Sequence, residues 1–225
     1  MDRGDTAPIC GPHLALICPN RIGLDFNWTL SDLGSMISSI RKAVNESLEL
    51  KRAFFQTNEQ LIAQVAHEIC LAFEQNRKVL LFGNGGSAAD AQHIAAEWVG
   101  RFQRERKPLA AIALTTDTSI LTAIGNDYGF DQVFLRQVKA LGQKGDIAIA
   151  ISTSGNSPNV LLAADAAREM GMITVGLTGR DGGKLGSSVQ YHLNVPHALS
   201  ARIQEVHIMI GHLLCELADD SMKGL

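Results

Sequence analysis

Up to about Asn27 the apolar residues follow no sustained period and are interrupted by several Pro and Gly. Residues 1–30 are therefore expected to form an extension outside the core. From Ser31 the rhythm becomes helical. Leu33, Met36, Ile37, Ile40 and Val44 recur at three and four residues, a pattern that runs on towards Phe55, and Met36 offers an alternative start. A second helix is predicted with Asn58 as its N-cap, Leu61, Ile62, Val65, Ile69 and Phe73 on one face, and an end before Lys78.

Beyond Lys78 short apolar runs replace the long helical ones: Val79 to Phe82, Ala110 to Leu114, Ile147 to Ile151, Thr174 to Leu177 and Val189 to Val195. Apolar at successive positions, they suit strands buried on both faces of a parallel sheet. Helices are predicted between and after them, over Ala88 to Phe102, Ser119 to Ile124, Phe130 to Leu141, Asn159 to Met170 and Ala201 to Ala218. The alternation predicts an α/β three-layer sandwich with a five-stranded, mainly parallel sheet, preceded by N-terminal helices and occupying residues 31–225.

Composition narrows the function. With 225 residues, 46% of them hydrophobic, the chain can bury one substantial core. The net charge of -3 comes from interspersed acids and bases with no basic block, so no nucleic-acid partner is expected. Cys10, Cys18, Cys70 and Cys215 form no C-x-x-C pair, which argues against a zinc knuckle or disulfide framework and for reduced thiols in the cytoplasm. The stretch from Ile9 to Cys18 is broken by Gly11, Pro12 and His13, making it a poor signal peptide and no membrane span.

In open α/β sheets ligands bind beyond the carboxyl ends of the strands, where loops lead into helix N-termini. One such loop is Gly83-Asn84-Gly85-Gly86-Ser87, whose backbone can approach a ligand closely. Gly83-x-Gly85-x-x-Ala88 also satisfies a relaxed dinucleotide fingerprint, with Asp117 after the next strand in place of a ribose-binding acid; a tight turn without a ligand is the bland alternative. The other loop is Ser152-Thr153-Ser154-Gly155-Asn156-Ser157-Pro158, with four hydroxyls and a Pro at the first helical position. Ser and Asn are ordinary caps, but four hydroxyls at a positive helix end favour a phosphate monoester.

These loops belong to a wider set: Asp90-Ala91-Gln92-His93 with Glu97, Gly125-Asn126-Asp127, Thr178-Gly179-Arg180-Asp181-Gly182-Gly183, and Arg202-Ile203-Gln204-Glu205 with His212. From about Ser31 to Leu217 the chain resembles the phosphoheptose isomerases, members of the sugar isomerase (SIS) fold family. The resemblance implies conversion of sedoheptulose 7-phosphate into D-glycero-D-manno-heptose 7-phosphate for bacterial surface polysaccharide. It implies a homotetramer with active sites at subunit interfaces and no nucleotide cofactor. By matching position it assigns the phosphate to Ser152, Thr153, Ser154 and Ser157, and the sugar to Asn84, Gly85, Gly86, Asn126, Asp127 and Gln204. Glu97 and His212 match the family's acid and base. Some relatives carry Asp where this chain has Ala201, so that carboxylate has no counterpart here.

Aldose–ketose isomerisation needs one group to take a carbon-bound proton and another to protonate the neighbouring carbonyl oxygen, and a carboxylate and an imidazole can divide the work. His93 and Glu97, four residues apart, share one helical face. Taken alone, Glu97 reads as a solvated helix residue and His212 as a core histidine; spacing does not choose between His207 and His212, and the resemblance chooses His212. The family also has members with zinc, which implies one Zn2+ on His93, Glu97, Gln204 and His212. Such an ion would compete with the acid/base roles of Glu97 and His212, leaving it structural, assisting or inhibitory. Two other classes fit the fold: a non-catalytic regulator of the replication-initiator-associating type, which lacks the Glu and the late His, and a sugar-phosphate sensor, which needs a DNA-binding segment not seen here.

Overall fold

The computed structural model describes residues 29–222. Nearly all of the expected extension, together with Cys10 and Cys18, lies outside them. By its internal contacts the chain divides into residues 1–42 and residues 43–225. The described part of the first unit is the start of helix α1 (Leu30–Glu74). Thr29 caps it: its amide and hydroxyl donate to the Asp32 carboxylate, each at 2.8 Å.

α1 is one helix of 45 residues, where the hydrophobic pattern suggested two. The expected cap is no cap. Asn58 Nδ2 donates back to the Phe54 carbonyl (2.9 Å) and Thr57 Oγ1 to the Ala53 carbonyl (3.1 Å), so both polar side chains are satisfied inside a continuous helix. With neither Gly nor Pro between Ser35 and Glu74, nothing forces a break.

The second unit is built on β1 (Val79–Gly83), β2 (Ala111–Ala113), β3 (Ile147–Ser152), β4 (Ile173–Gly179) and β5 (Tyr191–Val195). They pair in the order β2-β1-β3-β4-β5, every pair parallel, so the sheet is wholly rather than mainly parallel. The connecting helices are α2 (Gly86–Val99), α3 (Thr118–Tyr128), α4 (Val133–Leu141), α5 (Pro158–Glu169), the single turn α6 (Leu185–Ser188) and α7 (Ser200–Ser221).

Alternation along the strands divides the core between two faces. Val79, Leu81, Ile149 and Leu193 pack with Ile69 and Phe73 of α1, Ile94 and Trp98 of α2, and Ile203 and Ile210 of α7. Leu80, Phe82, Ala148 and Ala150 point the other way, against Phe134 and Val138 of α4 and Val160 and Ala163 of α5. Each large side chain buried in this way contributes about 1.5–3 kcal/mol. Three layers result, as the sequence pattern predicted. α3 is the exception: none of its residues is buried.

Candidate active site

Strand order reverses between β1 and β3, with β2 beyond β1 on one side and β4 and β5 beyond β3 on the other. Such a reversal opens a crevice at the carboxyl ends of the two strands. Both loops singled out from the sequence emerge there. They are tied together by a reciprocal amide pair, Asn84 Nδ2 to Asn159 Oδ1 and Asn159 Nδ2 to Asn84 Oδ1, each at 2.9 Å. Asn84 therefore braces the crevice, and its partner Asn159, buried at the start of α5, was missed by sequence reasoning because a polar residue at a helix N-terminus reads as exposed.

The serine loop leads into the start of α5. Ser157 occupies the N-cap position of α5 but makes no capping bond with its side chain. Its hydroxyl lies 3.1 Å from that of the buried Ser152, which in turn lies 3.5 Å from that of Ser154. Three hydroxyls thus converge at a positive helix end. Thr153 is directed elsewhere, its hydroxyl 3.5 Å from that of Ser200. Gly155 holds the turn at φ +64, and a side chain there would strike the backbone of Gly182 and Gly183.

The acid/base candidates meet on the opposite seam, between α2 and α7. Gly211 permits the close approach, because a Cβ there would collide with Ile94. Their chain neighbours face one another as a result: His93 Nε2 is 3.0 Å from His212 Nε2 and 3.5 Å from Glu97 Oε1. The ligand atoms of all three lie within 4.8 Å of one another. Two imidazole nitrogens this close either share a proton or aim both lone pairs at one cation. Tetrahedral zinc ligands, about 2.0–2.1 Å from the ion, stand about 3.3 Å apart, so this donor set fits a zinc ion with an open position. Gln204 does not join the three here; its carboxamide lies where a side chain at Gly86 would be, two turns earlier on α7.

Other predicted residues are placed apart. Asn126 and Asp127, exposed near the end of α3, hydrogen-bond to each other (2.8 Å), and no hydrogen bond among the described residues links them to either loop. Asp117 caps α3 through the Ile120 amide (2.8 Å), which removes it from the ribose-binding role a dinucleotide site needs. The Asp90 carboxyl is pushed up by burial, an effect the nearby His93 opposes. Burial, with help from the charges of Glu97 and Asp219, pushes the Cys215 thiol up to about 12, and the thiol is not among the three donors that come together.

The two late histidines sit in different surroundings. His207 is buried and donates from Nε2 to the Thr178 carbonyl (2.9 Å), and burial lowers its pKa from 6.5 to about 4. It is a neutral core residue. Below about pH 6.5 the unfolded chain takes up a proton that the folded chain excludes, so stability is lost as pH falls from 6.5 towards 4, by roughly 3 kcal/mol. Urea unfolding at pH 7 and pH 4.5 should show the loss in the wild type and a smaller one in His207→Gln; equal losses would contradict this account.

Residues 44–179 match the family model of the SIS domain, which defines the chain as a SIS-fold protein. The chain is 56% identical over 185 residues to a phosphoheptose isomerase of Aquifex aeolicus, an alignment covering 82% of this chain and 97% of the relative. It is 56% identical over 174 residues to that of Nitratidesulfovibrio vulgaris strain Miyazaki F, covering 77% and 84%. The solved phosphoheptose isomerase of Neisseria gonorrhoeae superposes with a TM-score of 0.78 at 47% identity, covering 82% of this chain and 99% of that one. This chain belongs to the phosphoheptose isomerase family, and it is an enzyme, a sugar-phosphate isomerase, rather than a regulator of the same fold.

Proposed function

We propose that the chain converts sedoheptulose 7-phosphate into D-glycero-D-manno-heptose 7-phosphate through an enediol, in the cytoplasm, at the head of the route to activated heptose for bacterial surface polysaccharide. The observation that carries this reading is the course of α2. It starts at the glycine loop of the crevice and carries His93 and Glu97 to His212. No helix among the described residues is long and apolar enough to cross a membrane.

Ser152, Ser154 and Ser157 hold the phosphate, with Thr153 at their edge, and so fix the sugar by its far end. Asn84, Gly85, Gly86 and Gln204 line the path of the carbon chain. Glu97 and His212 move the proton from C1 to C2 of the ketose, one taking it and the other serving the carbonyl oxygen. His93, Glu97 and His212, with Gln204 as the fourth donor the resemblance implies, would hold a zinc ion, which would supply positive charge to the site and compete with the free acid/base roles of Glu97 and His212. If so, metal analysis of His93→Ala finds the stoichiometric zinc of the wild type lost, whereas full zinc in that variant would remove His93 as an essential ligand.

A homotetramer with active sites at subunit interfaces accounts for what one chain leaves undone. α3 buries nothing, and Ile120, Tyr128 and Phe130 are exposed. A groove of about 610 Å³ between α1 and α7 is lined by Phe55, Ile62, Met209, Leu213 and Leu217. Covering these faces with further copies would also give Asn126 and Asp127 a site to complete. Light scattering is expected to give the mass of four chains; a monomer would sink the interface reading. Substrate preference is tested by supplying sedoheptulose 7-phosphate and, as controls, hexulose 6-phosphates. Equal turnover of both would overturn the heptose assignment.

A further inference from the structure

Arg106, in the loop from Gly100 to Ala110 between α2 and β2, forms with Asp219 of α7 a buried ion pair that no step of the reaction uses. Arg106 Nε and Asp219 Oδ1 are 2.6 Å apart, and their side chains are 4% and 2% exposed. Buried pairs are weak evidence for stability, since apolar residues of similar volume often serve as well. What this pair touches points to another role.

Arg106 reaches back to the C-terminal end of α2. Nη2 donates to the Glu97 carbonyl (3.0 Å) and Nη1 to the Trp98 carbonyl (2.9 Å), two carbonyls with no partner inside the helix where it ends, the second of which also accepts the Leu109 amide (3.0 Å). Glu97 sits in that final turn, and fraying of the turn would displace its carboxylate from His93 and His212. Asp219 stands two turns after His212 on the same face of α7. Its other oxygen accepts the amides of Gln103 (3.0 Å) and Arg104 (3.2 Å). Those amides follow Phe102, whose ring is stacked on the His212 imidazole at 5.5 Å and 23°. Although burial alone would raise the Asp219 carboxyl, Arg106 and the two amides hold it below its ordinary value, so the pair stays charged.

We propose that Arg106 and Asp219 form a positioning unit for the three-donor cluster: Arg106 locks the turn that carries Glu97, and Asp219 locks the loop that lays Phe102 on His212. The proposal rests on the reading of His93, Glu97 and His212 as the working site. Supporting groups of this kind cost about 10- to 100-fold in metal affinity when removed.

The test uses the full-length protein with Co2+ as a probe of the cluster, its visible absorption reporting ligand geometry. The double variant Arg106→Met/Asp219→Leu removes both charges together and so leaves no lone buried ion. Arg106→Lys keeps the charge but loses the planar fork, and Phe102→Leu keeps apolar contact but loses the stacked ring. In folded variants Co2+ affinity should fall at least tenfold with an altered spectrum, and kcat should fall while KM for sedoheptulose 7-phosphate changes by less than threefold. Phe102→Leu should show a smaller effect in the same direction. If the double variant does not fold, Arg106→Lys carries the comparison by itself. Unchanged affinity, spectrum and kcat in the folded variants would make the pair merely structural and overturn the proposal. His212→Asn serves as the control. If that change too leaves Co2+ binding and turnover intact, the site assignment has failed; if it abolishes both while Arg106→Lys does nothing, only the positioning unit has.

Discussion

Glu97→Gln is expected to lower turnover by roughly 100-fold or more, the scale of a lost general acid or base, while the protein still binds sugar phosphate. Gln keeps the size of the side chain and removes only the carboxylate. His212→Asn should behave alike, since it takes away the imidazole whose Nε2 lies 3.0 Å from that of His93. Glu97 and His212 are each partly exposed, so neither change leaves a fully buried polar group unpaired, and thermal melts should stay close to the wild type. The readout is kcat with folded protein. Near-normal turnover by a folded Glu97→Gln enzyme would remove the carboxylate from the reaction.

The second large effect is expected in the serine loop. Ser154→Ala and Ser157→Ala each delete a donor to a charged group, worth about 1.5–3 kcal/mol, or roughly 10- to 100-fold in affinity. Gly155→Ala should be worse than either. It places a side chain at φ +64 and drives it into the backbone of Gly182 and Gly183, so the whole turn that presents the hydroxyls must move. Binding of inorganic phosphate and the melting temperature should both drop in that variant. If phosphate affinity is untouched in the two serine variants, the anion binds elsewhere.

Much of this architecture is legible in the sequence because strand burial and helix amphipathicity leave different periods. The five apolar runs are the five strands, and the helices between them follow within a few residues. The boundary at Asn58 is not legible, because a polar residue that caps in one setting bonds back to its own helix in another, and only the geometry at Phe54 decides. The site shows the same division. His93 and Glu97 announce themselves by helical spacing. Their meeting with His212 depends on Gly211 against Ile94, a packing contact between helices over a hundred residues apart in sequence. Phe102, Arg106 and Asp219 carry no local signal, since a loop arginine and a late helical aspartate read as solvated charges. Asn126 and Asp127 stay apart from both loops: on the exposed α3 they hydrogen-bond to each other, and their place in the sugar site rests on the resemblance alone.

The account stands or falls on proton transfer at a ketose phosphate. Purified protein incubated with sedoheptulose 7-phosphate in deuterated water, followed by NMR of the product, tests it most directly. The proton taken by a side-chain base can exchange with the solvent before it is delivered, so the expected product is an aldoheptose 7-phosphate carrying deuterium at C2, except in turnovers where the abstracted proton is returned without exchange. Absence of any aldoheptose phosphate would contradict it.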